Sequence, residues 1–454
     1  MEVTKESANS PSLASNGGDK AVDKLASDVA TLDVAVPKHS ELHESNYEVE
    51  VERADPNSPL YSVSSFEDLK LHPDLLKGIY EMGFRKPSKI QEKALPLLLG
   101  NPPRNLIGQS QSGTGKTAAF ALSMLSRIDY SSDVPQAICV APARELARQI
   151  MAVIKSMGKY TTVTVAEAIK QSVMRNQKVN AQLIVGTPGT MTDLIKRRLI
   201  DVRNVKIFVL DEADNMLDQQ GLGDQSIRLK NMMPKNTQIV LFSATYSDEV
   251  RDFATRFAPD ANQFKLKVEE LSVSTIKQFY MDCKNSDHKF EVLDALYALL
   301  TIGQSIIFVQ RRDTADTIAR RMTESGHRVI NLHGGLTPTE RDQVMDAFRN
   351  GDAKVLITTN VLARGIDIMQ VNLVINYDIP TNVTGRTPDY ETYLHRIGRT
   401  GRFGRTGVSI NFVHDEQSWK LVEMIQNHFK REIVQVPTDD YNKIEKILKK
   451  EIKG

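Results

Sequence analysis

Three carboxylates crowded at the end of an apolar run are the first residues able to do chemistry: Ile207-Phe-Val-Leu-Asp-Glu-Ala-Asp214. The four apolar residues suit a buried strand of a parallel sheet. Ligands of such sheets sit beyond the C-terminal strand ends. Asp211 and Glu212 are therefore expected at the lip of a site. The plain structural alternative is a strand end followed by a helix N-terminus, where acids are common.

A second stretch weighs against that alternative. Asn105-Leu-Ile-Gly-Gln-Ser-Gln-Ser-Gly-Thr-Gly-Lys-Thr117 reads as strand, glycine-rich loop, then apolar helix. It resembles the P-loop, whose backbone N–H groups cradle phosphates at a helix N-terminus. Ser110, Gln111, Ser112, Gly113, Thr114 and Gly115 would surround the phosphates of ATP. Lys116 would reach the outer ones, and Thr117, with Asp211 as its acidic partner, would hold Mg2+. Ser110 stands where the general pattern has its first glycine.

The elements that must position these residues alternate. Residues 137–141, 183–186, 207–211 and 239–245 read as strands separated by helical patterns, which predicts a doubly wound parallel sheet. Upstream, Gly83-Phe-Arg-Lys-Pro-Ser-Lys-Ile-Gln91 precedes an apolar helix. Gln91 offers a donor and an acceptor, as reading an adenine edge requires, and Phe84 could stack on the base. A buried Phe at an ordinary helix N-terminus explains the same residues. A second cycle has strands at 305–310, 328–332, 355–358, 373–376 and 408–413 and no phosphate loop of its own. It carries Ala363-Arg-Gly-Ile-Asp367 and His395-Arg-Ile-Gly-Arg-Thr-Gly-Arg402. Clustered cations with glycines fit an anion partner better than a core.

Composition bounds the remainder. The chain has 454 residues, 41% hydrophobic and 25% charged, as in ordinary globular proteins of two or three domains. No apolar run is long enough to span a bilayer, and no signal peptide is evident. Cys139 and Cys283 sit among apolar neighbours and are expected as buried thiols. The net charge of +1 conceals an asymmetry: residues 1–60 hold twelve acids and five Lys/Arg, the rest 45 acids and 53 Lys/Arg. Residues 1–60 read as a disordered acidic tail. Val22, Leu25, Val29 and Leu32 within it are spaced for a short helix face, and with Val34 resemble an export signal. The expected layout is a tail at 1–60, an ATP-binding domain at 61–267, a linker at 268–274 and a second domain at 275–454.

Taken together, these residues resemble the DEAD-box RNA helicases over about residues 61–435. The resemblance implies two RecA-like domains in tandem, ATP in the cleft between them and single-stranded RNA across both, without sequence preference. It implies that Glu212 orients the attacking water and accepts its proton. Arg399 and Arg402 would reach the γ-phosphate from the second domain, Asp367 would hold the ribose, and Ser243 and Thr245 would couple nucleotide to closure or simply cap a strand end. RNA contacts would fall on Arg144, Thr187, Gly189, Gly334, Thr358 and Arg364, mainly to phosphate and sugar. Ala143 replaces a hydroxyl residue of the family pattern, Thr190 replaces an arginine, and a glycine pair expected between them is missing.

Ser58-Pro-Leu-Tyr-Ser-Val63, the residues from Asp214 to Asp224, Thr301-Ile-Gly-Gln-Ser-Ile-Ile-Phe308 and Val436-Pro-Thr-Asp-Asp440 resemble one branch, the mRNA-export helicases of the cytoplasmic face of the nuclear pore. That branch implies a nucleoporin partner, an export activator with inositol hexakisphosphate, a monomer, and residence in cytoplasm, nucleus and pore. A translation-type helicase, or a slow ATP-gated RNA clamp acting as scaffold, shares the same chemistry.

Overall fold

The computed structural model describes residues 49–52, 62–110, 114–170, 172, 177–218, 221–266, 276–300, 302–360, 371–401 and 406–452. The expected tail up to residue 48, the linker, and the site candidates Gln111, Ser112, Gly113, Arg364, Asp367 and Arg402 lie outside the described residues.

Strands of three to seven residues, the central ones mostly apolar runs, set the architecture. The first lobe has β1 (Val49–Glu52), β2 (Leu106–Gln109), β3 (Ala137–Val140), β4 (Val165–Ala168), β5 (Leu183–Gly186), β6 (Ile207–Leu210), β7 (Gln238–Ser243) and β8 (Asn262–Leu266). They form one sheet in the order β1-β8-β2-β7-β6-β3-β5-β4. The second lobe has β9 (Ile276–Asp282), β10 (Gln304–Phe308), β11 (Val329–Leu332), β12 (Val355–Thr358), β13 (Val371–Asn376), β14 (Gly407–Val413) and β15 (Val434–Val436). Their order is β11-β12-β10-β13-β14-β9-β15. All pairs are parallel except β1 with β8. Both lobes are doubly wound α/β sheets in tandem, as expected.

The central strands are buried on both faces, which is why they read as continuous apolar runs. Cys139, Val209 and Phe242 face one core of the first lobe, while Ile138, Phe208 and Leu241 face the other. Cys139 and Cys283 are buried free thiols. Among the described residues no helix is long and apolar enough to cross a membrane.

Strand β1 falls near the end of the stretch expected as tail. Its Val-Glu-Val-Glu alternation has the period of a strand with one face on a core, and Val51 packs against the first-lobe core. The acidic composition of residues 1–60 masks that local pattern. Strands β4, β8, β9 and β15 were likewise absent from the expectation. Each carries polar residues among its apolar ones, as in Asn-Gln-Phe-Lys-Leu of β8.

Candidate active site

The C-terminal ends of β2, β6 and β7 deliver the candidate residues to one edge of the first sheet. Beyond β2, the Ser110 N–H donates to the Ser243 carbonyl at 2.9 Å, tying the loop to the end of β7. The Ser110 and Thr114 hydroxyls pair with each other. Gly115 takes φ 96°, a left-handed conformation glycine adopts without strain. A Cβ there would also come within 2.6 Å of Gln91 Nε2. Lys116 opens the helix Lys116–Ser126 and donates from Nζ to the Ser110 carbonyl. Thr117, one residue on, is partly exposed.

Gln91, expected to read an adenine edge, also contacts the loop that follows β2. Its Oε1 accepts from Ser88 N at 3.0 Å, and its Nε2 donates to the Gly115 carbonyl at 3.1 Å. Ser88 Oγ donates to the Thr114 carbonyl at 2.9 Å. The capping box of the helix Lys89–Leu99 therefore braces the loop. These contacts use one of the amide's two N–H donors and one of its two oxygen lone pairs. Phe84 is partly buried and packs against the first-lobe core.

After β6 the chain turns through Glu212 at φ 52°, a left-handed position for a residue with a side chain. Asp211, Glu212 and Asp214 are all buried. Burial pushes the Asp211 carboxyl up to about 7, against the opposing pull of Lys116. Lys116 is pushed down by burial, while the three carboxylates hold it up. Asp214 goes the other way: burial raises it, but the His395 hydrogen bond and charge, with help from Lys116 and Thr245, bring it well below the ordinary carboxylate range.

Asp214 is the junction of the two lobes. Its Oδ2 accepts from Thr245 N at 3.1 Å and from Thr245 Oγ1 at 3.0 Å. Its own N–H donates to Ser243 Oγ at 3.3 Å. His395 Nε2 of the second lobe lies 3.2 Å from the same Oδ2. His395 ends one turn before Arg399, whose Nε donates to the His395 carbonyl at 2.8 Å. Arg399 is buried, and its charge acts on Lys116. The helix that presents them, Tyr390–Ile397, is pinned by Arg396. Arg396 donates from Nη1 to Asn376 Oδ1 at 3.1 Å and to the Asp378 carbonyl at 2.6 Å, and from Nε to Asn360 Oδ1 at 2.9 Å.

A second interlobe contact lies on the expected RNA side. Asp342 accepts from Arg144 Nη2 and faces Arg148 Nη1, each at 2.7 Å. Arg341 Nη1 lies 3.9 Å from Glu145 Oε1. Thr187 occupies the N-cap position of the helix Pro188–Lys196 without a side-chain capping bond, and Gly189 is exposed in its first turn. Gly334 is exposed beside Arg312. Thr358 does not belong with them. It is fully buried, and its hydroxyl donates to the Leu332 carbonyl at 2.8 Å, so it pins β12 to β11 instead of facing a ligand.

Residues 88–253 match the DEAD/DEAH box helicase family and residues 288–404 the helicase conserved C-terminal domain. Over 444 residues the chain is 63% identical to the ATP-dependent RNA helicase dbp5 of Schizosaccharomyces pombe, covering 96% of this chain and 87% of that one. The chain belongs to the DEAD-box helicases. It is an ATP-dependent RNA helicase. Its fold is similar to that of S. cerevisiae Dbp5 bound to RNA and ADP BeF3, with TM-score 0.83 and 57% identity, covering 86% of this chain and 100% of that one. It is also similar to a variant of that protein bound to nup159, a gle1 variant, ip6 and adp, with TM-score 0.66 and 56% identity, covering 85% of this chain and 100% of that one.

For a DEAD-box helicase the residues missed by sequence reasoning are instructive. Asp214 and His395 lay within quoted motifs but had no role assigned. Their signal was chemical: a third carboxylate and an imidazole in motifs otherwise accounted for. Asp342, which engages Arg144 from the other lobe, had no signal in isolation.

Proposed function

We propose that this helicase hydrolyses ATP with groups drawn from both lobes, and that RNA stimulates the reaction by favouring their closure. Lys116 neutralises the outer phosphates, with the loop from Ser110 to Gly115 cradling them. Glu212 orients the attacking water and takes its proton. Arg399, with Arg402, stabilises charge on the γ-phosphoryl group, a contribution on the order of 10³–10⁵ in rate. Asp367 holds the ribose. Thr117 and Asp211 fit Mg2+: both are hard oxygen donors, and a carboxyl raised to about 7 by burial is one that a cation would keep ionised. A bound Mg2+ would supply charge neutralisation at the phosphates.

The observation that carries the reading is the shared oxygen of Asp214, which joins Thr245 of the first lobe to His395 of the second. Ser243 and Thr245 therefore couple the nucleotide edge to the finger helix. Arg144, Thr187, Gly189, Gly334 and Arg364 are the proposed RNA contacts, with Thr358 as their support from beneath.

The cellular role is remodelling of messenger ribonucleoprotein in mRNA export. The complexes of S. cerevisiae Dbp5 with RNA, nup159, gle1 and ip6 support the same partners for this chain. We place it at the cytoplasmic side of the nuclear pore, with pools in cytoplasm and nucleus. Two measurements test the reading. ATPase activity should rise strongly with RNA, and ATP should tighten RNA binding by linkage; RNA-independent turnover would overturn the mechanism. Native-level imaging should give a nuclear rim, and an even cytoplasmic signal would overturn the location alone.

A further inference from the structure

We propose that Asn215 is a positioning residue for Glu212. The inference rests on the role given above to Glu212. Asn215 is buried in the short helix Ala213–Asp218, and its Nδ2 donates to Glu212 Oε2 at 2.5 Å. Glu212 leaves a left-handed backbone position just before that helix, so helical geometry does not set the direction of its side chain. The side-chain amide of Asn215 does, through its bond to Oε2. With Oε2 occupied by the amide, Oε1 is left for the attacking water. A neutral donor also suits a carboxylate that must stay free to accept a proton, where a cation would compete for the charge.

The same residue links orientation to closure. Asn215 N–H donates to Asp214 Oδ1 at 3.0 Å, while the other Asp214 oxygen receives Thr245 and His395. The sequence His395, Asp214, Asn215, Glu212 is thus one continuous set of contacts from the second lobe to the carboxylate that handles water. Within the stretch from Asp214 to Asp224, Asn215 thereby acquires a chemical reason.

The test is a double-mutant cycle in the full chain with RNA present. Asn215→Ala, and the near-isosteric Asn215→Asp that keeps the packing but replaces the donor with a like charge, should each lower kcat by about 10- to 100-fold, the range of a hydrogen bond to a charged group. KM for ATP, and RNA affinity with a non-hydrolysable ATP analogue, should stay within about two-fold of the parent, the scatter expected when ground-state binding is untouched. In a Glu212→Gln background, single-turnover hydrolysis should fall no further on adding Asn215→Ala. Retention of wild-type kcat by both single variants overturns the proposal, as does a loss that multiplies with that of Glu212→Gln. Wild-type turnover by Glu212→Gln alone would instead overturn the assignment of Glu212.

Discussion

His395 Nε2 in the second lobe and Asp214 Oδ2 in the first lie 3.2 Å apart, and both side chains are buried. Removing one partner leaves the other buried without this hydrogen bond, at a cost of about 1–3 kcal/mol. For His395 the cost falls on the contact between lobes, whereas Asp214 also holds Thr245 within the first lobe. His395→Ala and Asp214→Asn should each lower RNA-stimulated turnover about ten-fold, with ATP binding retained. Turnover with and without RNA, compared with nucleotide affinity, checks this. Equal losses in both would argue for damage to the first lobe alone.

Glu212→Gln keeps the shape of the side chain and removes its basicity. General bases contribute about 10²–10⁴ in rate. The variant should therefore bind ATP and RNA normally while turnover drops by at least about 100-fold. Filter binding with ATP, beside steady-state phosphate release, separates the two effects.

Asp342 sits between Arg144 and Arg148 of the opposite lobe. Asp342→Lys puts three cations together and opposes closure. RNA stimulation of the ATPase should fall, and the paired change Arg148→Glu should recover part of it. Unchanged stimulation in Asp342→Lys would show that the contact does not contribute to the active state.

Asp211 predicts a pH dependence in the nucleotide-free protein. Burial raises its pKa from 3.8 to about 7, so over that window the folded chain keeps a proton that the unfolded chain has released. Stability contributed at this residue therefore falls as pH rises through the window. Asp211→Asn removes that slope. Thermal melts without Mg2+ should show the variant the more stable above neutrality and inactive, with the difference shrinking towards pH 4.

Arg396 is 1% exposed and satisfies Asn360, Asn376 and the Asp378 carbonyl. Arg396→Met fills much of the same space and leaves three acceptors without their donor. Each costs about 1–3 kcal/mol, so urea unfolding of the second lobe should shift by several kcal/mol. A shift below about 1 kcal/mol would mean that neighbouring groups rearrange to satisfy them.

Much of this was legible before any coordinates. Strands such as Ile207–Leu210 announce themselves because burial on both faces demands an unbroken apolar run. Lys116 and Asp211 stand out because phosphate chemistry would restrict which residues can serve, and the fold buries both close enough for their charges to interact. Less legible was anything decided by contact between distant segments. Gln91 has the groups to read a base, and its added contacts with Ser88 and Gly115 come from the fold. Thr358 has a hydroxyl at a strand end, yet the neighbouring strand takes it. Asp342 and His395 acquire meaning only when the second lobe is brought against the first.

Strand β1 runs antiparallel along β8, with Val49 opposite Leu266 and Glu52 opposite Gln263. It is thus a cover strip over the outer backbone of β8. A chain trimmed to begin at residue 62 would bare the amides and carbonyls on that side of β8, and an uncovered edge is a template for pairing with another chain. Trimming for convenience would then create stickiness between molecules while every catalytic group stayed intact, and low specific activity would reflect self-association instead of damaged chemistry.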